Sequence, residues 1–187
     1  MKRTLFFLAF VLSFAASEAQ SRFPTLDKSP MDMSYCPTNY PILKIQNKAN
    51  EPLIARVVYG RPQKDGRAIF GELEPFGSIW RLGANEATEI EFYKDVKVGT
   101  KKVKKGRYSM YALLNADKWS LIINKDTDTW GAFKYDSTKD LARIDAPVQK
   151  QTEITEVFSI VFEKNNANSS NMLIAWDDVL VKVPISW

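Results

Sequence analysis

The chain has 187 residues, 45% hydrophobic and 26% charged, with a net charge of +4 and no histidine. Without histidine there is no Ser-His-Asp or Cys-His catalysis, no histidine general base and almost no route to a transition-metal site, and so small a positive excess gives no argument for nucleic acid. A lone cysteine, Cys36, permits no intramolecular disulfide and is expected to be a buried or inert thiol.

Lys2 and Arg3 precede an apolar run from Leu5 to Ala16, and Ser17-Glu18-Ala19 follows it. This is the pattern of a secretory signal peptide, too short for a membrane span, with small residues placed for cleavage after Ala19. It predicts a periplasmic or secreted protein starting at Gln20. Losing Lys2, Arg3 and Glu18 lowers the net charge from +4 to about +3, and no later run is long and apolar enough to span a membrane. The remaining length suits one domain able to bury roughly 70% of its unfolded surface.

Residues 20–40, with Pro24, Pro30 and Pro37, read as an irregular extended arm, and residues 41–187 as the folded domain. Ile42 to Gln46 and Leu53 to Tyr59 read as strands, and Thr88 to Tyr93 alternates with a period of two. Val96–Val98 and Lys101–Val103 flank Gly99-Thr100 as a hairpin, whose lysines between Lys97 and Lys105 resist edge-to-edge pairing or form a basic patch. Further strands are expected at Arg107–Leu114, Trp119–Asn124, Thr129–Tyr135, Leu141–Val148, Glu153–Glu163, Met172–Trp176 and Val179–Ile185. No apolar pattern holds helical spacing for three turns. The expectation is an all-β, single-domain antiparallel two-layer β-sandwich, jelly-roll-like, with an irregular N-terminal arm.

The stretch Arg61 to Phe92 concentrates charge and aromatic bulk: Arg61, Arg67, Arg81 and Glu86 among Phe70, Phe76 and Trp80. A buried guanidinium needs a carboxylate, carbonyls or a bound anion. Two readings stay open: Glu86 and nearby acids neutralise the arginines internally, or the arginines face a cleft that takes a ligand. In Trp80-Arg81-Leu82-Gly83-Ala84-Asn85-Glu86, Gly83 frees the backbone and Asn85 offers donor and acceptor, as a binding loop would. Glu86 is a weak candidate for a catalytic base, with Asp136, Asp126 and Glu74 as possible second carboxylates. Trp130, Phe133 and Tyr135 form either core or an aromatic platform for sugar rings, with Lys134 nearby. Asn124-x-Asp126-x-Asp128 resembles a calcium loop but has Thr129 where the glycine should stand, so a hairpin turn is the default.

Certain words of the chain carry a resemblance: SPMDM (Ser29 to Met33), GRAIFGELEPFGSIWRLGANEAT (Gly66 to Thr88), KKGRYSMY (Lys104 to Tyr111), WSLIINKD (Trp119 to Asp126) and WGAFKYD (Trp130 to Asp136). Through them the chain resembles a family of secreted Gram-negative proteins catalogued as domain of unknown function 2911. The resemblance implies export and a single all-β domain, and assigns no catalytic residues. The functional expectation is an exported protein that binds a small polar or anionic ligand, or a glycan, through Arg61, Arg67, Trp80, Arg81, Asn85, Glu86, Trp130 and Lys134, with neither metal nor cofactor. A histidine-free, carboxylate-dependent envelope hydrolase and a structural protein-interaction module are the alternatives.

Overall fold

The computed structural model describes residues 23–187, so the leader read at residues 1–19 lies outside the described residues. Ten strands, one short α-helix and one 3-10 turn follow in order: β1 (Met31–Cys36), α1 (Tyr40–Ile45), β2 (Ala55–Gly60), β3 (Ile79–Trp80), β4 (Glu89–Phe92), β5 (Val96–Val98), β6 (Lys101–Val103), β7 (Gly106–Leu114), β8 (Lys118–Asn124), the 3-10 turn (Ser137–Lys139), β9 (Asp140–Asn166) and β10 (Ser169–Ser186). Strands make up 55% of the described residues and helix 5%, and the pairings are antiparallel, as the short alternating runs require. No described helix is long and apolar enough to cross a membrane.

The strands form one open sheet in the order β1-β2-β4-β7-β8-β9-β10-β5-β6, with β3 paired to β7 off the path. The first half of β9 pairs with β8 (Lys118 opposite Pro147, Asn124 opposite Asp140) and the second half pairs with β10. This one strand therefore hands the sheet from one layer to the other. The layers also meet at the opposite edge, where Tyr59 Oη donates to the Ile160 carbonyl at 3.2 Å and Phe158 N to the Pro62 carbonyl at 2.9 Å. Between them lies one buried cluster that includes Val57, Tyr59, Ile90 and Leu121 from one half and Phe158, Ile160, Ile174 and Val183 from the other.

Alternation explains which side chains enter it. In β2, Ala55, Val57 and Tyr59 are buried while Arg56 and Val58 are only partly covered. In β10 the inward set is Met172, Ile174 and Trp176, then Val179, Val181, Val183 and Ile185. The parity changes from even to odd at Asp177, where the backbone is left-handed (φ 55°) and the register to β9 shifts on both sides. Between Ala175, opposite Ser159, and Val179, opposite Lys150, β10 advances 4 residues while β9 runs through 9, so both strands are irregular here and β10 leaves the irregularity with its faces exchanged.

Three local expectations need correction. Residues 40–45 are helix α1, not strand: Pro41 lies in the first turn, where its fixed φ and missing N–H suit a helix start. The N-terminal arm itself is consistent with the structure, and its residues 31–36 form β1, pairing Met31 to Cys36 with Gly60 to Ala55. Thr129 to Tyr135 is a turn region held by a single bridge, because Asp128 (φ 61°) and Gly131 (φ 65°) break the extended path. The runs expected on either side of residues 149–152 and of Asp177-Asp178 are joined in the single long strands β9 and β10.

Candidate functional site

The loop from Arg81 to Thr88 joins β3 to β4, and three of its residues have positive φ: Leu82 (54°), Gly83 (148°) and Asn85 (63°). At Leu82 and Asn85 such backbone costs on the order of 1–3 kcal/mol per residue and persists only where the surroundings enforce it, whereas Gly83 adopts it freely. Thr88 N donates to the Arg81 carbonyl at 3.1 Å, and the buried Thr88 hydroxyl donates to the Leu82 carbonyl. The loop is pressed onto the end of β2, where a Cβ on Gly60 would stand 2.3 Å from the Ala84 carbonyl oxygen. Only glycine fits that contact.

A second segment, residues 129–136, is clipped to this loop. Ala87 N donates to the Thr129 carbonyl at 3.0 Å, Gly131 N donates to the Asn85 carbonyl at 2.9 Å, and Glu86 bridges to Trp130. Beneath the segment, Ala132 and Tyr135 pack on a small outer cluster of Ala87, Tyr111 and Ile122. Tyr135 is locked further: its hydroxyl donates to Asp140 Oδ2 at 2.7 Å and accepts from Arg143 Nη2 at 2.6 Å. Burial and the Asp140 carboxylate push its pKa up to about 12. With Ala132 and Tyr135 turned inward, Trp130 is left 61% and Phe133 87% exposed.

Of the eight residues singled out in the sequence, Asn85, Glu86 and Trp130 thus come together, and Lys134 follows on the same turn as Trp130. Glu86 and Lys134 are exposed, and among the described residues the polar ends of Asn85, Glu86 and Lys134 form no hydrogen bond or ion pair. A recess of about 150 Å³ adjoins Glu86, lined also by Met31, Val58, Glu89 and Asp128. The latter two carboxylates are already taken up by Arg107, at 3.5 Å from Glu89 and 2.5 Å from Asp128. As a catalytic base Glu86 has no free second carboxylate in that recess.

The other four residues lie elsewhere. Arg61 ties β1 and β2 to β9, donating to Asp32 Oδ2 (2.8 Å), the Phe158 carbonyl (3.1 Å) and Ser159 Oγ (2.9 Å). Arg67 is exposed and closes its own turn through the Lys64 carbonyl (2.9 Å) and the Gln63 carbonyl. Trp80 is 1% exposed at the centre of the core, with ring centroids 5.1 Å from Phe158, 5.6 Å from Trp119 and 5.9 Å from Trp176. It offers no face to a ligand.

Arg81 pairs not with Glu86 but with Glu74, at 3.9 Å. Glu74 is mostly covered, and desolvation pushes its pKa up to about 7, against the opposing pull of Arg81 and of the Trp80 indole. The Trp80 N–H is buried and turned toward this carboxyl, yet it lies outside hydrogen-bond geometry, so its pull is that of a nearby dipole. Nothing beside Glu74 in the sequence signals this, since Leu73 and Phe76 are themselves exposed, and the carboxyl is covered only through the fold. The central stretch also lines a recess of about 220 Å³ through Phe70 and Phe76, facing Asp177 and Asp178. Those acids are matched by Lys64 at 3.4 Å and Lys150 at 2.7 Å.

The calcium-like spacing at Asn124 has another use. The buried Asn124 amide donates to the Asp136 carbonyl (3.0 Å) and Asp140 Oδ1 (2.8 Å), and its oxygen accepts from Asp126 N (2.8 Å). Among the described residues no group of three or more acids and cysteines is placed to hold a metal ion.

No curated protein and no solved structure matches the chain. A family model described as "Protein of unknown function (DUF2911)" matches residues 42–185, which takes in the Arg81–Thr88 loop, the Trp130–Asp136 turn and the sheet beneath them, and the chain belongs to that family.

Proposed function

We propose that the protein is exported, with its leader removed after Ala19, and binds an oligosaccharide across Trp130 and Phe133. The observation that carries this reading is the pair of large aromatic side chains left 61% and 87% exposed on a turn that is itself held rigidly by Ala132, Tyr135 and the Asn85 carbonyl. Exposed rings on a fixed backbone present flat apolar faces at little entropic cost on binding. The C–H face of a pyranose stacks on such a ring, and its hydroxyls need donors and acceptors at the rim. Glu86 supplies an acceptor, Lys134 a donor and Asn85 both. The Arg107 pairing of Glu89 and Asp128 favours binding over hydrolysis.

The test is calorimetric titration of bacterial and plant oligosaccharides into the exported form, whose intact mass should correspond to a chain starting at Gln20. Trp130→Ala and Phe133→Ala should each weaken the best binder by about tenfold or more, about 1.4 kcal/mol, with the melting temperature kept. Arg67→Ala should leave affinity unchanged. Absence of saccharide binding, or affinity indifferent to both aromatic variants, would sink the proposal.

A further inference from the structure

We infer that the saccharide is an amino sugar with a free amino group, an assignment that rests on the aromatic platform proposed above; its ammonium is held by the Glu86 carboxylate beside the Trp130 ring. Ala87 N donates to the Thr129 carbonyl at 3.0 Å and Gly131 N to the Asn85 carbonyl at 2.9 Å, so the Glu86–Trp130 bridge lies between two hydrogen bonds. This is the non-hydrogen-bonded type of antiparallel pair, in which the two Cα atoms stand about 4.5 Å apart and the side chains share a face. That face is the outer one: Ala87, next to Glu86, is buried in the cluster beneath, while Glu86 and Trp130 are both exposed. The ring of Phe133 lies over Gly131, where an added Cβ would fall 2.8 Å from its Cε2 atom. A carboxylate, an indole and a phenyl ring thus follow one another along the surface.

The charge at this spot is unmatched on the protein's side. Glu86 forms no ion pair among the described residues, and Lys134, on the same turn as Trp130, does not pair with it. The recess beside Glu86 holds two further carboxylates, Glu89 and Asp128, and one guanidinium, Arg107, serves both. A ligand group entering here meets more negative charge than the protein itself balances. A hydroxyl would displace water from Glu86 without balancing its charge. An ammonium balances it through charge-assisted hydrogen bonds, roughly twice as strong as neutral ones, and gains further from an indole face within about 6 Å. An equatorial amino group projects from the edge of a pyranose stacked on the platform, so stacking and the ion pair are made together. Acetylation of that nitrogen removes the charge and leaves Glu86 unbalanced.

Calorimetric titration at mildly acidic pH, where the amine is protonated, compares the β-1,4-linked tetramers of glucosamine, N-acetylglucosamine and glucose. The glucosamine tetramer should bind about tenfold or more tighter than either of the others. Glu86→Gln, which keeps the size and an acceptor oxygen, should bring it down to the affinity of the glucose tetramer. Trp130→Ala should weaken it by about tenfold or more, and both variants should keep the parent's melting temperature. Arg67→Ala, on an exposed turn elsewhere, should bind as the parent does. Equal affinity for the three tetramers, or a glucosamine preference that survives Glu86→Gln, overturns the ammonium site; the aromatic platform then still stands if Trp130→Ala weakens binding. Glucosamine-tetramer binding indifferent to Trp130→Ala would mark diffuse attraction to an acidic surface and overturns the site as well. If none of the three binds, the amino-sugar assignment falls, and the wider oligosaccharide titration described above decides separately whether the platform falls with it.

Discussion

Glu74 shows what charge beside aromatic bulk meant at the level of single side chains. The sequence made the crowding of Arg61, Arg67, Arg81 and Glu86 with aromatic residues plain, but not who pairs with whom. Partner choice depends on which distant backbone passes by: Arg61 meets Phe158 and Ser159, residues nearly a hundred positions away. Glu74 itself makes a direct prediction. Its pKa is raised to about 7 in the folded protein from an ordinary 4.5, so between these values the folded state holds a proton that the unfolded state releases. The resulting stability is fully present below about pH 4.5 and is lost as pH rises through about 7, with an upper magnitude of about 3 kcal/mol. Urea denaturation of Glu74→Gln beside the parent should show a flatter pH dependence from 4.5 to 8 and a smaller deficit, or a gain, at pH 8. Parallel curves would mean that Glu74 titrates normally.

At the scale of loops and strands, glycine marks the contact that builds the site. Gly60→Ala should cost about 2–4 kcal/mol, in the range of overpacking, because its Cβ would fall 2.3 Å from a backbone oxygen with no flexible atom to move aside. Gly66→Ala, with no atom within 4 Å of the added Cβ, should cost less through its positive φ alone. Chemical denaturation of both variants checks the order, and a mild Gly60 variant would show that the Arg81–Thr88 loop is not clamped. Strands with strict alternation, such as Thr88 to Tyr93 and Phe158 to Phe162, were legible because one face is core. Residues 40–45 and 129–135 were not, since apolar residues in short runs fit helix, turn and strand alike and only a neighbouring edge decides. The same limit left Trp130, Phe133 and Tyr135 open between core and platform: Trp130 and Phe133 face outward because Ala132 and Tyr135 turn inward, a choice set by the outer cluster on β7 and β8.

For the molecule as a whole, the antiparallel β class was legible in the spacing of strands and turns, whereas the route by which one sheet makes two layers was not. Cys36 offers a test of how far the layers act together. It is 1% exposed at the end of β1, belongs to the shared core, and burial raises its thiol pKa. Labelling by a thiol reagent at pH 8 should be at least about a thousandfold slower in buffer than in urea if exposure requires global unfolding. Rapid labelling with the rest of the fold intact would show that β1 opens alone.

The irregularity at Asp177 works like a shift in a reading frame. Everything in β10 beyond it is read in the other phase, so that Val179, Val181, Val183 and Ile185 reach the core. In the exposed turn at residues 167 and 168 the chain could gain or lose a residue without changing which side chains are inside. Inside the strand that freedom is gone. Length at this point carries as much information as residue type, and a single deletion would expose four core side chains without altering the chemistry of any of them.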